Sequence, residues 1–259
     1  MALGHVSITM AEEGPANVWM EQDRSAIHAG AYFANFDTKL RLSPGKGQSG
    51  TIVDAESDFG LDESSANLFL HAEYRFRPRH RIDFAFYDLS RDGSKVIDGD
   101  IDFGDVTFPD GATVVSKFDY RVAKLTYSYS LLQNQKVDLA VAAGIYTAFF
   151  DFRSTDIETG ATEGDDGTAP VPVFGLRGSF LINPRWTANA YLEYFHIDNS
   201  DADATYVDTT ISLEYRVREN TGVGFGYNLV NVDGEDKGSD DAGDFDYDGL
   251  LLYLFYNFQ

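Results

Sequence analysis

The chain has 259 residues, 43% of them hydrophobic, and 42 acids against 20 bases for a net charge of −22. That excess repels nucleic-acid phosphates and favours cations. The absence of cysteine excludes disulfides and thiol chemistry, and no run of 18 apolar residues is present to form a membrane helix.

Residues 1–24 read as an N-terminal arm or tail ahead of a single β domain spanning 25–259. They lack the basic start and apolar stretch of a secretory signal, so an exported protein would already have lost its signal. From residue 26 onward, period-two alternation predicts about ten strands. They fall near 26–42, 66–77, 80–91, 117–132, 136–152, 171–182, 186–197, 205–218, 221–232 and 247–258. Eight or twelve are the alternatives, because GTIVDAES and DVTFPDGATV either extend strands or form their own.

The alternation is clean in several places. Leu68, Leu70, Ala72, Tyr74 and Phe76 oppose Phe69, His71, Glu73 and Arg75. Trp186, Ala188, Ala190, Leu192 and Tyr194 oppose Thr187, Asn189, Tyr191 and Glu193. Val207, Ile211, Leu213, Tyr215 and Val217 oppose Tyr206, Asp208, Ser212, Glu214 and Arg216. Val223, Phe225, Tyr227 and Leu229 oppose three glycines and Asn228. Leu250, Leu252, Leu254, Tyr256 and Phe258 close the chain with an unbroken apolar face, the length of a strand that crosses a bilayer.

The connections alternate too. RPRHR, LQNQ, NPRW and REN are short, whereas 44–65, 92–116, 153–169, 198–204 and 233–246 are long and acidic. Short turns at one end and long loops at the other suit an outer-membrane barrel, and an even strand count puts both chain ends on the short-turn side. A soluble sandwich or lipocalin-like ligand-binding barrel would bury the apolar face instead. The aromatic residues near strand ends (Trp186, Tyr194, Tyr215, Tyr127, Tyr129, Tyr256 and Phe258) favour the membrane arrangement, where such rings form interfacial girdles.

The alternating strands, the turns RPRHR and NPRW and the closing LYLFYNF resemble the small, OmpA-like outer-membrane β-barrel proteins of Gram-negative bacteria. The resemblance covers residues 25–259 and is one of pattern. It implies an all-β, closed, antiparallel up-and-down transmembrane barrel in the bacterial outer membrane. The termini are expected on the periplasmic side, the acidic loops outside, and membrane lipid and lipopolysaccharide as neighbours. The chain departs from such proteins at Gln259, where they usually end on an aromatic residue.

Parity then assigns an inward polar set: Glu73, Arg75, Asp83, Asp138, Arg177, Glu193, Glu214 and Arg216. In a ten-strand bore these either pair into a plug or line a narrow path for ions and small solutes. The segment 233–248 holds eight acids and one lysine. Within it Asp244, Asp246 and Asp248 share one strand face and form a candidate site for calcium or another divalent cation, which would also bridge lipopolysaccharide phosphates. An EF-hand is excluded because its closing glutamate would fall on Phe255. The bland alternative is a solvated acidic surface.

A hydrolase reading rests on His196, Asp198 and Ser200, which share a strand face near the long-loop rim. Omptin proteases and the lipid A and phospholipid esterases of this membrane use histidine with an acid or a serine near that rim. The order His-x-Asp reverses the omptin order, so a non-enzymatic barrel is the preferred expectation. No histidine pair has zinc-ligand spacing in sequence, and GVGFG lies mid-strand, away from any phosphate-binding turn.

Overall fold

The computed structural model describes residues 25–41, 52–238 and 241–258. The arm 1–24, much of the first long connection and Gln259 lie outside the described residues. The strands are β1 (Ser25–Arg41), β2 (Ile52–Asp54), β3 (Ser64–Arg77), β4 (His80–Asp88), β5 (Arg91–Val96), β6 (Ile101–Phe103), β7 (Val106–Phe108), β8 (Thr113–Gln133), β9 (Val137–Asp156), β10 (Thr162–Asn183), β11 (Trp186–Asp198), β12 (Ala202–Arg216), β13 (Thr221–Asp236) and β14 (Asp241–Phe258).

Ten of these form a closed antiparallel barrel, in the order β1, β3, β4, β8 to β14. The apolar tail strand explains the closure. β14 pairs with β1 from Ser25↔Phe258 to Arg41↔Ala242, so no edge is left between first and last strands. β5 continues the line of β4 along β8, β2 adds to β1, and β6 and β7 form a separate hairpin. Of the two segments whose role the sequence left open, GTIVDAES forms β2, while DVTFPDGATV forms β7 and also supplies the first residues of β8.

Every alternating face falls as expected. Leu68, Leu70, Tyr74, Leu192, Ile211, Val223, Phe225, Leu250, Leu252 and Leu254 all point outward and are exposed. The outward band has a sharp upper limit. Along β14 the outward residues run Asp244, Asp246, Asp248 and then Leu250 through Phe258. The Tyr227 hydroxyl donates to Asp248 at that boundary. The glycines opposite this band on β13 serve the interior. A Cβ on Gly224 would lie 2.3 Å from the Tyr253 ring, so the missing side chain makes space for an inward tyrosine.

The long connections depart from expectation. Their acidic composition reads as external loop, yet the strands β8, β9 and β10 rise through much of 113–170, and 52–63 with 97–112 folds inward over the mouth. Phe59, Phe103 and Phe108 are fully buried there. Phe59 meets both Phe103 and Phe108, and Phe59 and Phe103 meet Phe152 of β9, with ring centroids 5.2–5.7 Å apart. Acidic composition hid this because the phenylalanines are isolated among aspartates, without a period to reveal a face.

One close approach holds the connection down. Gly60 adopts φ +70°, and a Cβ on Gly93 would sit 1.8 Å from the Gly60 carbonyl oxygen. Leu61 bridges to Gly93 at the same point. Gly93→Val is expected to lift this connection from β5 at a cost of about 1–3 kcal/mol, the usual range for overpacking. Protease cleavage within 52–63 while the barrel stays folded would show it, and an unchanged digest would contradict it.

Candidate functional site: the filled barrel interior

Inward parity on ten strands brings together six carboxylates, Glu73, Asp83, Asp138, Glu193, Asp208 and Glu214, with the bases Arg75, Arg81, Lys124, Arg177 and Arg216. Six against five leaves the interior nearly balanced, so most of the −22 lies elsewhere. The groups occur in layers. Nearest the short turns, Arg75 reaches Asp138 at 2.6 Å and also donates to the Pro78 carbonyl. Arg216 donates to the Glu219 carbonyl.

Above them Asp83 is the hub. Arg177 pairs with it, Arg81 Nε lies 3.5 Å away, and His71 Nε2 lies 3.5 Å away. Arg81 also reaches Glu73 at 3.2 Å. The Arg177 guanidinium stacks 4.2 Å over the Tyr191 ring, which supplies cation–π attraction in a place with little water. Glu214 receives the Tyr253 hydroxyl at 3.0 Å and faces His28 Nε2 at 3.3 Å.

In the next layer Lys124 stands between Glu193 and Asp208, the latter at 2.6 Å. Asp208 also accepts from Tyr206 and Asn228, and Asn228 accepts from Tyr32. Two cavities of ≈ 80 and ≈ 90 Å³ flank the His28, Tyr191 and Glu214 layer. Each has room for only a few waters.

Above Asp208 the interior becomes aromatic. Tyr146 and Tyr206 meet at a tilt with ring centroids 4.4 Å apart, Tyr120 and Phe245 likewise at 4.3 Å, and the Tyr120 and Tyr146 hydroxyls share a hydrogen bond of 2.5 Å. At the top, the guanidinium of Arg91 is wholly buried and lies 4.1 Å over Phe36. It pairs with Glu56, whose other oxygen accepts from the Thr38 amide at 2.9 Å. The connection 52–63 is thereby pinned to the mouth.

All eight inward residues read from the sequence line this interior. Arg81, Lys124 and Asp208 are absent from that set, although Arg81 shares parity with Asp83, Asp208 lies on the polar face with Glu214, and Lys124 is opposite in parity to the outward Tyr127. Arg91 and Glu56 had no such signal, since both lie in connections. His28 and His71 have no ligand spacing in sequence. Yet they are cross-strand partners with rings 4.9 Å apart, because β1 pairs with β3 in that register. His71, Glu73 and Asp83 converge closely enough to hold a metal. Two guanidiniums already occupy those carboxylates, which disfavours a cation there.

The rim residues are placed differently. His196, Asp198 and Ser200 do not converge. His196 is exposed on the outward face and its ring contacts Thr205 at 3.0 Å. Asp198 pairs with Lys237 at 2.6 Å, and that ammonium holds its carboxyl below the usual range. Ser200 donates to Asp201. Asp244, Asp246 and Asp248 do share the outward face, as parity implied. Cross-strand pairing sets Asp37 opposite Asp246 and Asp233 opposite Asp244. Partial desolvation, with Asp246 and Asp233 nearby, raises the Asp244 carboxyl above its ordinary value. A second carboxylate group, Asp37, Asp54 and Glu56, has ligand-like spacing, but Glu56 is committed to Arg91.

Among solved structures, the chain is similar to the outer membrane protease OmpT from Escherichia coli. The TM-score is 0.60 at 15% identity, covering 91% of this chain and 97% of that one. It also aligns with the outer membrane protein OprG from Pseudomonas aeruginosa, with TM-score 0.40 and 9% identity over 94% and 100% of the two chains. At such identities the OmpT likeness concerns the fold alone. It supports a ten-strand barrel of the outer-membrane kind and assigns neither the OmpA-like label nor a subfamily. No family model matches the sequence, and no curated protein does.

Proposed function

We propose that this chain is an integral outer-membrane barrel whose interior is a sealed, ion-paired plug, and that it acts as a non-enzymatic structural and surface-interaction protein. The apolar outward band fits lipid, and the ten-strand fold it shares with OmpT supports that setting. The observation that carries the sealed reading is the phenylalanine cluster over the mouth. Phe59, Phe103 and Phe108 come from separate points of the long connections and are fully buried as one cluster, with Phe59 and Phe103 against Phe152 and Phe108 against Phe59. A conducting path would have to displace all three, and then pass the Lys124 and Asp83 layers.

Reconstitution in planar bilayers tests this. Heat-modifiable migration would first establish a folded barrel, and no conductance steps are then expected at moderate voltage. Regular steps from wild-type protein would replace the plug with a channel.

The outward acids just above the apolar band are the surface we propose for contact, with divalent cations bridging Asp244 and its neighbours to lipopolysaccharide phosphates. The raised Asp244 carboxyl sets the sign of a test. Without cations the folded state disfavours its ionised form. The penalty therefore acts at neutral pH and disappears as pH falls and the group protonates. In chelator, Asp244→Asn should unfold at higher urea than wild type at neutral pH, and the gain should vanish in acid. With calcium present at neutral pH, the order should reverse. No reversal in calcium would remove Asp244 as a ligand.

A further inference from the structure

The wall of the barrel is not equally tall all round, and at one seam it is unpaired. β9 and β10 pair continuously from Phe180↔Val137 up to Thr162↔Thr155. β10 and β11 pair only from Asn183↔Trp186 up to Phe174↔Tyr194. β11 nevertheless continues to Asp198, paired on its other side with β12. Among the described residues, 170–173 of β10 and 195–198 of β11 thus face one another without a ladder. The fork is four residues deep, about 13 Å at ~3.3 Å per residue.

The residues at this fork suit an open edge in an apolar setting. Pro170 and Pro172 stand on the β10 side, and a sheet tolerates proline where the missing N–H faces no partner. Two donors are therefore absent from an edge that would otherwise leave them bare. Outward, the floor of the fork is Phe174 and Tyr194, 66% and 50% exposed at the upper end of the apolar band. Inward, Val173 is buried and Val171 and Phe195 pack against the interior core. Apolar surface therefore runs from the outer band, through the gap in the wall, to the aromatic interior.

The tall side of the fork is also braced by the plug. The Asp105 amide, at the turn of the β6–β7 hairpin, donates to Glu163 of β10 at 3.0 Å. Gly104 beside it has φ +59°, and a Cβ there would strike the Glu163 carboxyl. The hairpin that closes the mouth thus braces the upper half of β10, which is paired with β9 alone.

We infer that this fork is a lateral docking site for the hydrocarbon chain of an outer-leaflet lipid. The inference rests on reading the outward band as lipid-facing. Its floor lies at the top of that band, so a chain end can enter sideways without crossing a paired wall. The valine and phenylalanine lining offers contact with hydrocarbon and the prolines remove two donors, so the polar groups left at the fork are His196, the proline carbonyls and the unladdered backbone of β11. Asp165 and Asp166 stand above the fork on β10, and Asp198, at its outer end on β11, is paired with Lys237, so the floor is uncharged.

Tryptophan quenching by brominated-chain phosphatidylcholine tests this in vesicles. Trp19 and Trp186 are first replaced by phenylalanine. Single reporters then go in as Phe195→Trp in the fork, Phe174→Trp on the outward band, and Phe69→Trp, which is inward behind a paired wall. Ile197→Trp substitutes in the fork if Phe195→Trp does not show the heat-modifiable shift. The expected result is a loss of emission at the fork comparable with that at position 174 and well above that at 69. A fork reporter quenched no more than position 69 overturns the proposal, as does one reached only by aqueous iodide. Absence of quenching at 174 would instead sink the lipid-facing reading itself, so the two failures are distinguishable.

Discussion

Replacing Lys124 with methionine is expected to destabilise the folded barrel by about 3–5 kcal/mol, the range for breaking a buried ion pair from one side. Among the described residues, Lys124 is the one base in contact with both Glu193 and Asp208. Methionine preserves much of the stem's packing, so the loss isolates the charge. Two carboxylates would then face each other in a region with room for only a few waters. Asp208 would keep its hydrogen bonds from Tyr206 and Asn228 but lose its counter-charge.

The measurement is urea unfolding in detergent, followed by loss of the heat-modifiable shift. Lys124→Met combined with Glu193→Gln and Asp208→Asn should recover most of the stability, because the penalty lies in the unpaired charges. If the triple variant is as weak as the single one, the lysine acts through packing and the charge argument fails. The same comparison speaks to the sealed interior, since a water-filled bore would screen the unpaired acids and the single variant would cost little.

Arg91→Met should release the cap while leaving the barrel wall folded. Arg91 has no exposed side-chain surface, and it binds Glu56, the Thr38 hydroxyl and the Asp62 carbonyl at once. Its loss leaves Glu56 buried with the Thr38 amide as its one remaining neutralising contact among the described residues. A local cost of about 3–5 kcal/mol follows from the same one-sided argument. It falls on the connection 52–63, because the ten-strand ladder contains neither residue.

Limited proteolysis should therefore cut 52–63 quickly, with the boiled-to-unboiled gel shift intact. In planar bilayers the variant should stay closed or flicker briefly, since the Lys124 and Asp83 layers remain below. Arg91→Met with Glu56→Gln should restore resistance. Equal protease resistance in Arg91→Met and wild type would mean that the phenylalanine cluster alone holds the cap.

The lining histidines show where sequence reasoning stops. His28 and His71 are 43 positions apart in the chain, and their stacking depends on the exact register Ala29↔Leu70 and Ile27↔Ala72. A one-residue slip would turn one of them to the lipid face. Register is a pairing property of two strands, so neither strand carries it alone. The aspartate hub is similar. Asp83 was recognisable as inward, but the choice of Arg177 as its partner needs β4 and β10 brought across the bore. The rim triad illustrates the opposite case. His196, Asp198 and Ser200 share a face by parity, yet the face is the outer one, and each finds a different partner.

The sequence by itself determined the all-β class, the ten barrel strands, and the outward or inward direction of their side chains. Those properties follow from a period of two, which every strand writes locally. Parity also sufficed to name most of the charged lining and to place Asp244, Asp246 and Asp248 on one outward face. Tertiary structure alone decided which inward charges meet, how the acidic connections hide Phe59, Phe103 and Phe108 in a cap, and where the β10–β11 wall comes apart. Each depends on contacts between segments distant in the chain, and such contacts follow from register, relative strand height and packing in three dimensions.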